Sequence, residues 1–398
     1  MPDQVAGWGV ALLLAGLWTV AGCAESTPDD SLPGRAPIEL RGVWLTNVDS
    51  DVLDSRASID EAMQFLADHH FNAVYPVVWN DAHTLYPSAV TDRLFGVRID
   101  PRYAGRDPLA ELIDAAHRHG LAVIPWFEFG FAASYQADGG PILDAEPGWA
   151  ARDRDGELLT KNGFEWMNAY HPDVQGFLHA LVLEVVQNYD VDGVQGDDRL
   201  PAQPVEGGYS AFTDSLYRAA HDGTPPPGDP TDADWKRWRA DRLNAFAQRL
   251  YRAVKAEDPA LQVSWAPSIY PWGYDEYLQD WPAWLAGGYA DWVHPQVYRR
   301  NLNNYRETLA SQQPDALGLD PATQDRMVPG VLMQVGDYRI AAEDLVAAVE
   351  MNREAGFRGE VFFFYEGLRA NDGALADTLL ATHYAEPAAL PFERASAP

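Results

Sequence analysis

Cysteine is almost missing from this chain: its 398 residues include one, Cys23. A single thiol excludes an internal disulfide and a cysteine-rich metal site. Positive charge is scarce as well. Lys and Arg number 29 against 59 Asp and Glu, a formal net charge of −30, and Lys161, Lys236 and Lys255 are the only lysines. So acidic a chain excludes a nucleic-acid partner, because neutralising phosphates takes a basic face. It also excludes adhesion to anionic lipid through a basic patch. The acid excess reflects genome composition or a salty habitat and names no partner by itself.

Several catalytic signatures are absent too. No G-x-S-x-G is present, which excludes a nucleophile-elbow hydrolase. There is no P-loop and no H-E-x-x-H. The ten His are scattered, and no strand carries a paired His-x-His. His69, His70, His117 and His119 fall at helix C-termini, where they suit the dipole. No metal and no other cofactor is expected.

Long apolar runs are limited to residues 10–21, too short to cross a bilayer comfortably. Val20-Ala21-Gly22-Cys23 follows. Small residues before a Cys at the end of such a run resemble a bacterial lipoprotein signal. Residues 1–22 then read as the signal peptide and Cys23 as the lipidated first residue. The stretch before the run departs from that pattern, with Asp3 and no Lys or Arg. Residues 23–37 are rich in Ser, Pro, Asp and Gly and read as a flexible tether. Ala24, rather than Asp, follows Cys23, which by the same resemblance points to the outer membrane. A lipid anchor is thus expected and a protein partner is not.

What the chain does have is a folded composition, 47% hydrophobic and 12% aromatic. From Arg41 onward, short β-branched or aromatic runs alternate with amphipathic stretches. Strands are predicted at 42–47, 73–79, 122–129, 193–197, 262–267, 292–298, 328–333 and 361–365. Helices are predicted at 58–70, 108–119, 173–189, 234–257, 275–286, 302–313, 341–355 and 373–383. The first is expected to start with Ser58 as N-cap and Glu61 closing a capping box. Eight βα units without a composition break indicate an α/β fold, a (β/α)8 TIM barrel, over residues 38–384, with a tail at 385–398. The loops after strands 2, 3 and 4 are long, at 80–107, 130–172 and 199–232. In a parallel barrel these loops share the face where active sites form. They carry Tyr86, Tyr135, Trp149, Phe164, Trp166, Tyr170 and Tyr209, a supply of rings for stacking on sugars.

The strand ends carry the chemistry. By alternation along the fourth strand, Gln195 and Asp197 share the inward face and Asp198 sits at the rim. Adjacent carboxylates are costly unless solvated, paired (Arg199 follows) or put to use. Glu128 ends an aromatic run on the third strand, where lost hydration raises a carboxyl toward the general-acid range. Glu366 ends another apolar run on the eighth. Around them the strand ends offer Asn47, Asp49, Trp79, Asn80, Trp126, His294, Gln296, Tyr298 and Tyr365. Mixed amides, hydroxyls and indoles match sugar hydroxyls, which both donate and accept. Two carboxyls in such a groove are the apparatus of glycoside hydrolysis. The same ring would also suit a lipoprotein that holds a glycan without cleaving it.

Three segments then become recognisable: Arg41-Gly-Val-Trp-Leu-Thr-Asn47, Asp192-Gly-Val-Gln-Gly-Asp-Asp198 and Pro295-Gln-Val-Tyr298. Together they resemble the glycosyl-hydrolase-like family ten proteins, from about Arg41 to Tyr384. Pro125-Trp-Phe-Glu-Phe-Gly130, Asn188-Tyr-Asp-Val-Asp-Gly193, Trp238-Arg-Ala-Asp241 and Phe363-Phe-Tyr-Glu366 look like its secreted branch. The resemblance implies a barrel related to the α-amylase clan and activity on bacterial glycans, including peptidoglycan strands stripped of stem peptides. It places the clan's nucleophile at Asp197. Gln195 stands where the clan usually has Arg, and Ala266-Pro267-Ser268 stands where it has a strand-five acid. The acid role is therefore expected to fall to Glu128 or Glu366, with Asp198 tuning Asp197 or binding substrate hydroxyls.

Overall fold

The structure is a computed structural model and describes residues 36–394. The expected signal peptide, Cys23 and all but the end of the expected tether lie outside the described residues. Within them the fold is mixed α/β with parallel sheets. Eight short parallel strands recur along the chain: β1 (Leu40–Leu45), β2 (Ala73–Pro76), β3 (Ala122–Val123), β4 (Gly193–Gly196), β5 (Gln262–Trp265), β6 (Trp292–Val293), β7 (Gly330–Leu332) and β8 (Gly359–Phe363). One sheet has the order β7-β8-β1-β2-β3 and another the order β6-β5-β4. Parallel bridges from Trp126 to Gln195, from Val293 to Met327 and from Gln296 to Gly330 link their margins. Each strand thus neighbours the next in chain order, and β8 pairs with β1 in the register Leu40 to Gly359.

The strands read as continuous apolar runs because both faces are covered. Every residue of β1 and β2 is buried. The helices bury one stripe each. In the helix Pro108–Arg118, Asp107 caps the Ala110 N–H, Pro108 needs no donor at its position, and Leu109, Leu112, Ile113 and Ala116 face inward. In the helix Pro172–Asn188, Val174, Phe177, Leu178, Leu181 and Val185 do the same.

Three helix predictions need correction. The first helix runs over Arg56–Asp68 and begins at Ser55, not Ser58. Ser55 accepts from the Ser58 N–H at 3.0 Å, and Ser58 Oγ accepts from the Ser55 N–H at 3.1 Å. The second serine thus does the work expected of Glu61, three residues earlier. The single helix expected at 275–286 is two, Trp272–Tyr277 and Trp281–Ala286. Leu278 is left-handed at φ 60°, and Pro282 can only open a new helix. The last helix starts at Tyr365 rather than 373 and is broken by left-handed Asn371, Asp372 and Gly373.

The C-terminal tail folds back over the start of several strands. Ala389 exchanges backbone hydrogen bonds with Pro37 and Glu39. Phe392 packs on Trp292, and Arg394 pairs with Asp192 at 2.9 Å. The opposite ends of the strands are left to the long connections. The segment after β3 builds an antiparallel sheet from Ala132–Tyr135, Phe164–Trp166 and Thr160–Lys161. The segment after β4 is pinned by Arg239, fully buried, whose guanidinium donates to the carbonyls of Val205, Gly207, Pro230 and Trp235. These bonds offset the cost of burying its charge.

Candidate active site

The chain beyond β4 turns sharply. A Cβ on Gly196 would collide with the Leu200 carbonyl and the Trp265 ring, so only glycine lets the chain fold back here. The turn, closed by Leu200 N–H to Asp197 O at 3.1 Å, presents Asp197, Asp198 and Arg199 together. Gln279, in the break between the two short helices, donates to the Asp197 carbonyl at 2.9 Å and braces it. Phe131 N–H donates to the Arg199 carbonyl at 3.0 Å, tying this turn to the end of strand three.

Arg199 is the centre of the cluster. Its Nη2 lies 3.4 Å from Glu128 Oε1 and 3.2 Å from Asp197 Oδ2. Its Nη1 lies 3.0 Å from Asp198 Oδ1, an ion pair whose angle does not make a hydrogen bond. Its Nε donates to the Glu128 carbonyl at 3.1 Å, and its guanidinium covers the Phe164 ring at 4.6 Å. Because one nitrogen touches both, the Glu128 and Asp197 oxygens are separated by at most the sum of those two distances. That bound is on the two oxygens that face Arg199 and is compatible both with the roughly 5–5.5 Å carboxyl spacing of retaining glycosidases and with the roughly 6.5–9.5 Å spacing of inverting ones.

Each carboxyl has a second partner. Asn80 Nδ2 donates to Glu128 Oε2 at 2.5 Å, and Gln296 Nε2 donates to Asp197 Oδ1 at 3.1 Å. Burial raises Glu128 above its usual range although Arg199 and Asn80 oppose it. Burial, then the charge of Asp198, raises Asp197 well above its own, against the pull of Arg199. Burial alone would lower Arg199, but the three carboxylates outweigh it and hold its charge firmly. Among the described residues no group of three or more His, Cys, Asp or Glu could hold a metal ion. The cation in this cluster is the guanidinium.

A stability prediction follows from these directions. The folded protein keeps the Glu128 and Asp197 protons to higher pH than the unfolded chain, which releases its carboxyl protons near pH 4. The stability gained by holding them is full below that point and is lost as pH climbs toward the folded values. Glu128→Gln has no proton to lose. The variant is expected to match wild type near pH 4 and to melt higher at pH 7, by on the order of 2 °C. Thermal melts at both pH values check this; a variant melting below wild type at pH 7 contradicts it.

Glu128 opens into a cavity of about 900 Å³. Thr46, Asp49, Asn80, Asn162, Phe164 and Phe363 are among its lining residues. Three of the most exposed large apolar side chains, Val48, Tyr135 and Val335, stand around it as well. Apolar faces beside carboxyls and amides suit a sugar.

The structure sorts the other expected site residues. Asp49 and Asn80 line the cavity, and Gln296 holds Asp197. Tyr298 stacks on Phe363 at 5.2 Å, and the charges of Asp197, Asp198 and Glu128 raise its hydroxyl further above the value that burial imposes. Asn47 Oδ1 and Trp126 Nε1 are buried without a partner among the described residues. The remaining residues are brought elsewhere. Trp79 donates to the Gly130 carbonyl, and Tyr86 to Glu184 and Leu181. Gln195 accepts from Trp44 at 2.6 Å and donates to Ser264. His294 lies between Tyr75 and the Val328 carbonyl, its pKa pulled down to about 4 by burial. Tyr365 is buried edge-on to Phe65. Glu366 is displaced because β8 stops at Phe363, which puts Glu366 in the first turn of a helix. There it accepts from Ser50 Oγ at 2.7 Å, away from the Arg199 cluster. Of the loop rings, Tyr135 and Phe164 line the cavity, whereas Trp149, Trp166 and Tyr170 are buried within the loops. Arg199, read from the sequence only as a partner for the two Asp, and Phe363 are the additions.

An α/β scaffold with carboxyls gathered at the ends of parallel strands is the architecture of glycoside hydrolase domains. In three dimensions the chain is similar to the glycoside hydrolase domain of PgaB (BpsB) from Bordetella bronchiseptica. That similarity has a TM-score of 0.63 at 16% identity, covering 86% of this chain and 99% of that one. By sequence the chain belongs to the glycosyl hydrolase-like 10 family, which it matches over residues 39–317. Its relatives include glycosyl hydrolase YngK of Bacillus subtilis, 24% identical over 89% of this chain and 73% of that protein. Glycosyl hydrolase DigH of Escherichia coli is 27% identical over 72% of this chain and 74% of its own.

Proposed function

We propose that the eight parallel strands close into a (β/α)8 barrel and that the protein is a glycoside hydrolase of bacterial cell-wall or extracellular glycan. The favoured substrate is peptidoglycan strands lacking stem peptides. The observation that carries the reading is the shared arginine: one nitrogen of Arg199 holds buried Asp197 together with Glu128, which lines a cavity beside Tyr135 and Phe164. Glu128, raised and facing the cavity, protonates the leaving oxygen. Asp197, in the form that has lost its proton, supplies the negative charge that offsets the oxocarbenium-like transition state; both carboxyls are raised, so the working state is the one in which the proton the pair retains sits on Glu128. Cys23 anchors the mature chain in the cell envelope, at the outer membrane.

The reaction test is incubation with denuded glycan strands followed by mass analysis. Shorter saccharides, each carrying one added water, support hydrolysis. Unchanged strands that nevertheless co-sediment with the protein support a glycan-binding lipoprotein, the reading that the missing strand-five carboxyl favours. A charge argument adds a prediction about choice of substrate. At a net charge of −30, the protein repels wall that still carries peptide carboxylates more than it repels denuded strands. The rate ratio of denuded to intact wall is expected to exceed one at low salt. It should shrink as ionic strength rises and the Debye length falls from about 30 Å to about 8 Å. Equal rates at low salt contradict this preference.

A further inference from the structure

Asp197 is an awkward covalent nucleophile. It is 2% exposed, and its two oxygens already accept from Gln296 and Arg199. A carboxylate has about four lone-pair sites, so it can still accept one more short hydrogen bond. It has far less freedom to approach a ring carbon in line.

Around it is an unusual set of rings. Tyr298 stacks on Phe363, Phe363 meets Trp126 at 6.5 Å, and Trp44 touches both Trp126 and Tyr298 at 6.3 and 6.5 Å. Phe363 lines the cavity, which joins this cup to the site. Two donors in the cup are unspent. Trp126 Nε1 is buried with no partner, and the hydroxyl of the half-buried Tyr298, on which three carboxylates act, makes no hydrogen bond to another described residue. A buried unpaired donor costs free energy, and a ligand acceptor removes that cost.

One acceptor from Asp197, two free donors and aromatic walls are together the complement of one small group. An acetamido group presents an N–H donor, a carbonyl acceptor and an apolar methyl, whereas a hydroxyl has no methyl to place against the rings. Resting on the glycosidase reading above, we infer that the site takes a 2-acetamido sugar next to the scissile bond and uses that sugar's own carbonyl oxygen as the nucleophile. Asp197 accepts the acetamido N–H and orients it; Tyr298 and Trp126 hold the carbonyl end and the methyl.

The step balances as follows. The carbonyl oxygen forms a bond to C1 while the bond from C1 to the leaving oxygen breaks, and Glu128 gives that oxygen its proton. Positive charge spreads over the five-membered oxazolinium ring, offset by Asp197 across the N–H. Water, losing a proton to the Glu128 carboxylate, then attacks C1 and restores the acetamido group. The anomeric configuration is retained and one water is consumed, as in substrate-assisted glycosidases.

The test compares three oligosaccharides of one length, differing at the 2-position: N-acetyl, N-trifluoroacetyl and free amine. Fluorination weakens the carbonyl oxygen as a nucleophile. Wild type should lose about 10²-fold in kcat on the trifluoroacetyl substrate, the scale of losing one catalytic stabilising group. The free amine should not be cleaved. The sugar-fused thiazoline, a stable copy of the oxazolinium ring, should inhibit wild type far more tightly than it inhibits Asp197→Asn or Tyr298→Phe. Equal kcat on the acetyl and amine substrates overturns the inference while leaving the hydrolase reading intact. So does a glycosyl ester on Asp197 trapped by a fluorosugar and seen by mass spectrometry. Cleavage of none of the three overturns both.

Discussion

Asp197→Asn should lower kcat on denuded glycan strands by on the order of 10³-fold while leaving the fold and the affinity for glycan nearly unchanged. The substitution keeps the size of the side chain. Gln296 can still donate to the amide oxygen and Arg199 keeps Glu128 and Asp198 as partners, so the turn after β4 stays closed. What disappears is the negative charge that Asp197, braced on both oxygens, carries in its ionised form. The cavity walls proposed to hold the glycan, Tyr135 and Phe164 among them, are untouched. A loss in kcat with KM steady is the signature of an interaction made only in the transition state. A rise in KM with kcat unchanged would instead mean that Asp197 only binds substrate and does no chemistry.

The second large effect concerns Glu128 and can be separated from the first by the leaving group. Glu128→Gln should cost about 10²- to 10⁴-fold on natural glycan, the usual contribution of a general acid. On an aryl glycoside whose phenol leaves without help, most of that loss should vanish. Asp197→Asn should not be rescued in this way, because its charge is needed however the leaving group departs. The wild-type pH profile carries the same information. Glu128 must hold its proton to act, and burial keeps that proton on above the ordinary carboxyl range. kcat/KM should therefore fall on the alkaline side at a pH above about 4.3, the value for a free Glu side chain. The activated substrate should flatten that limb. An unchanged alkaline limb with the activated substrate would assign the acid role elsewhere.

The residues that could be found from sequence were those whose signal is geometric. Gln195 and Asp197 share parity, yet β4 ends at Gly196 and their fates differ. Gln195 is low enough to meet Trp44 and Ser264, while Asp197, one turn of the pleat further on, meets Gln296 and Arg199. Parity gives the face and not the depth. Glu128 was legible because a carboxyl ending an aromatic run has to be buried, and burial is what raises it. Glu366 carried the same signal and misled, since the eighth strand ends at Phe363 and the next residues coil into a helix. Polar strand ends such as Trp79, His294 and Tyr365 turned out to satisfy neighbours inside the protein. A polar side chain alone does not say whether its partner is a ligand or a backbone carbonyl. Arg199 was visible only as a neighbour of two acids. Its reach to Glu128, in the turn beyond β3 and 71 residues away in sequence, depends on the close approach that Gly196 permits. The helix breaks at Leu278 and Pro282 were hidden for a related reason. Apolar spacing continues across them, and only the left-handed backbone reveals the turn that delivers Gln279 to Asp197.

The charge deficit of the chain has a local counterpart in the site, where three carboxyls share a single guanidinium. Burial, with the charge of Asp198 added to it, keeps Glu128 and Asp197 above their ordinary range against the pull of that guanidinium, at a cost in stability near neutral pH. The central claim is that Glu128 and Asp197, joined through Arg199, break a glycosidic bond. The most direct measurement is product mass analysis of denuded glycan strands after incubation with wild type, Asp197→Asn and Glu128→Gln, each first shown by thermal melt to be folded. The account predicts shorter, hydrated saccharides from wild type and intact strands, still bound, with either variant. Cleavage by both folded variants at the wild-type rate would contradict it.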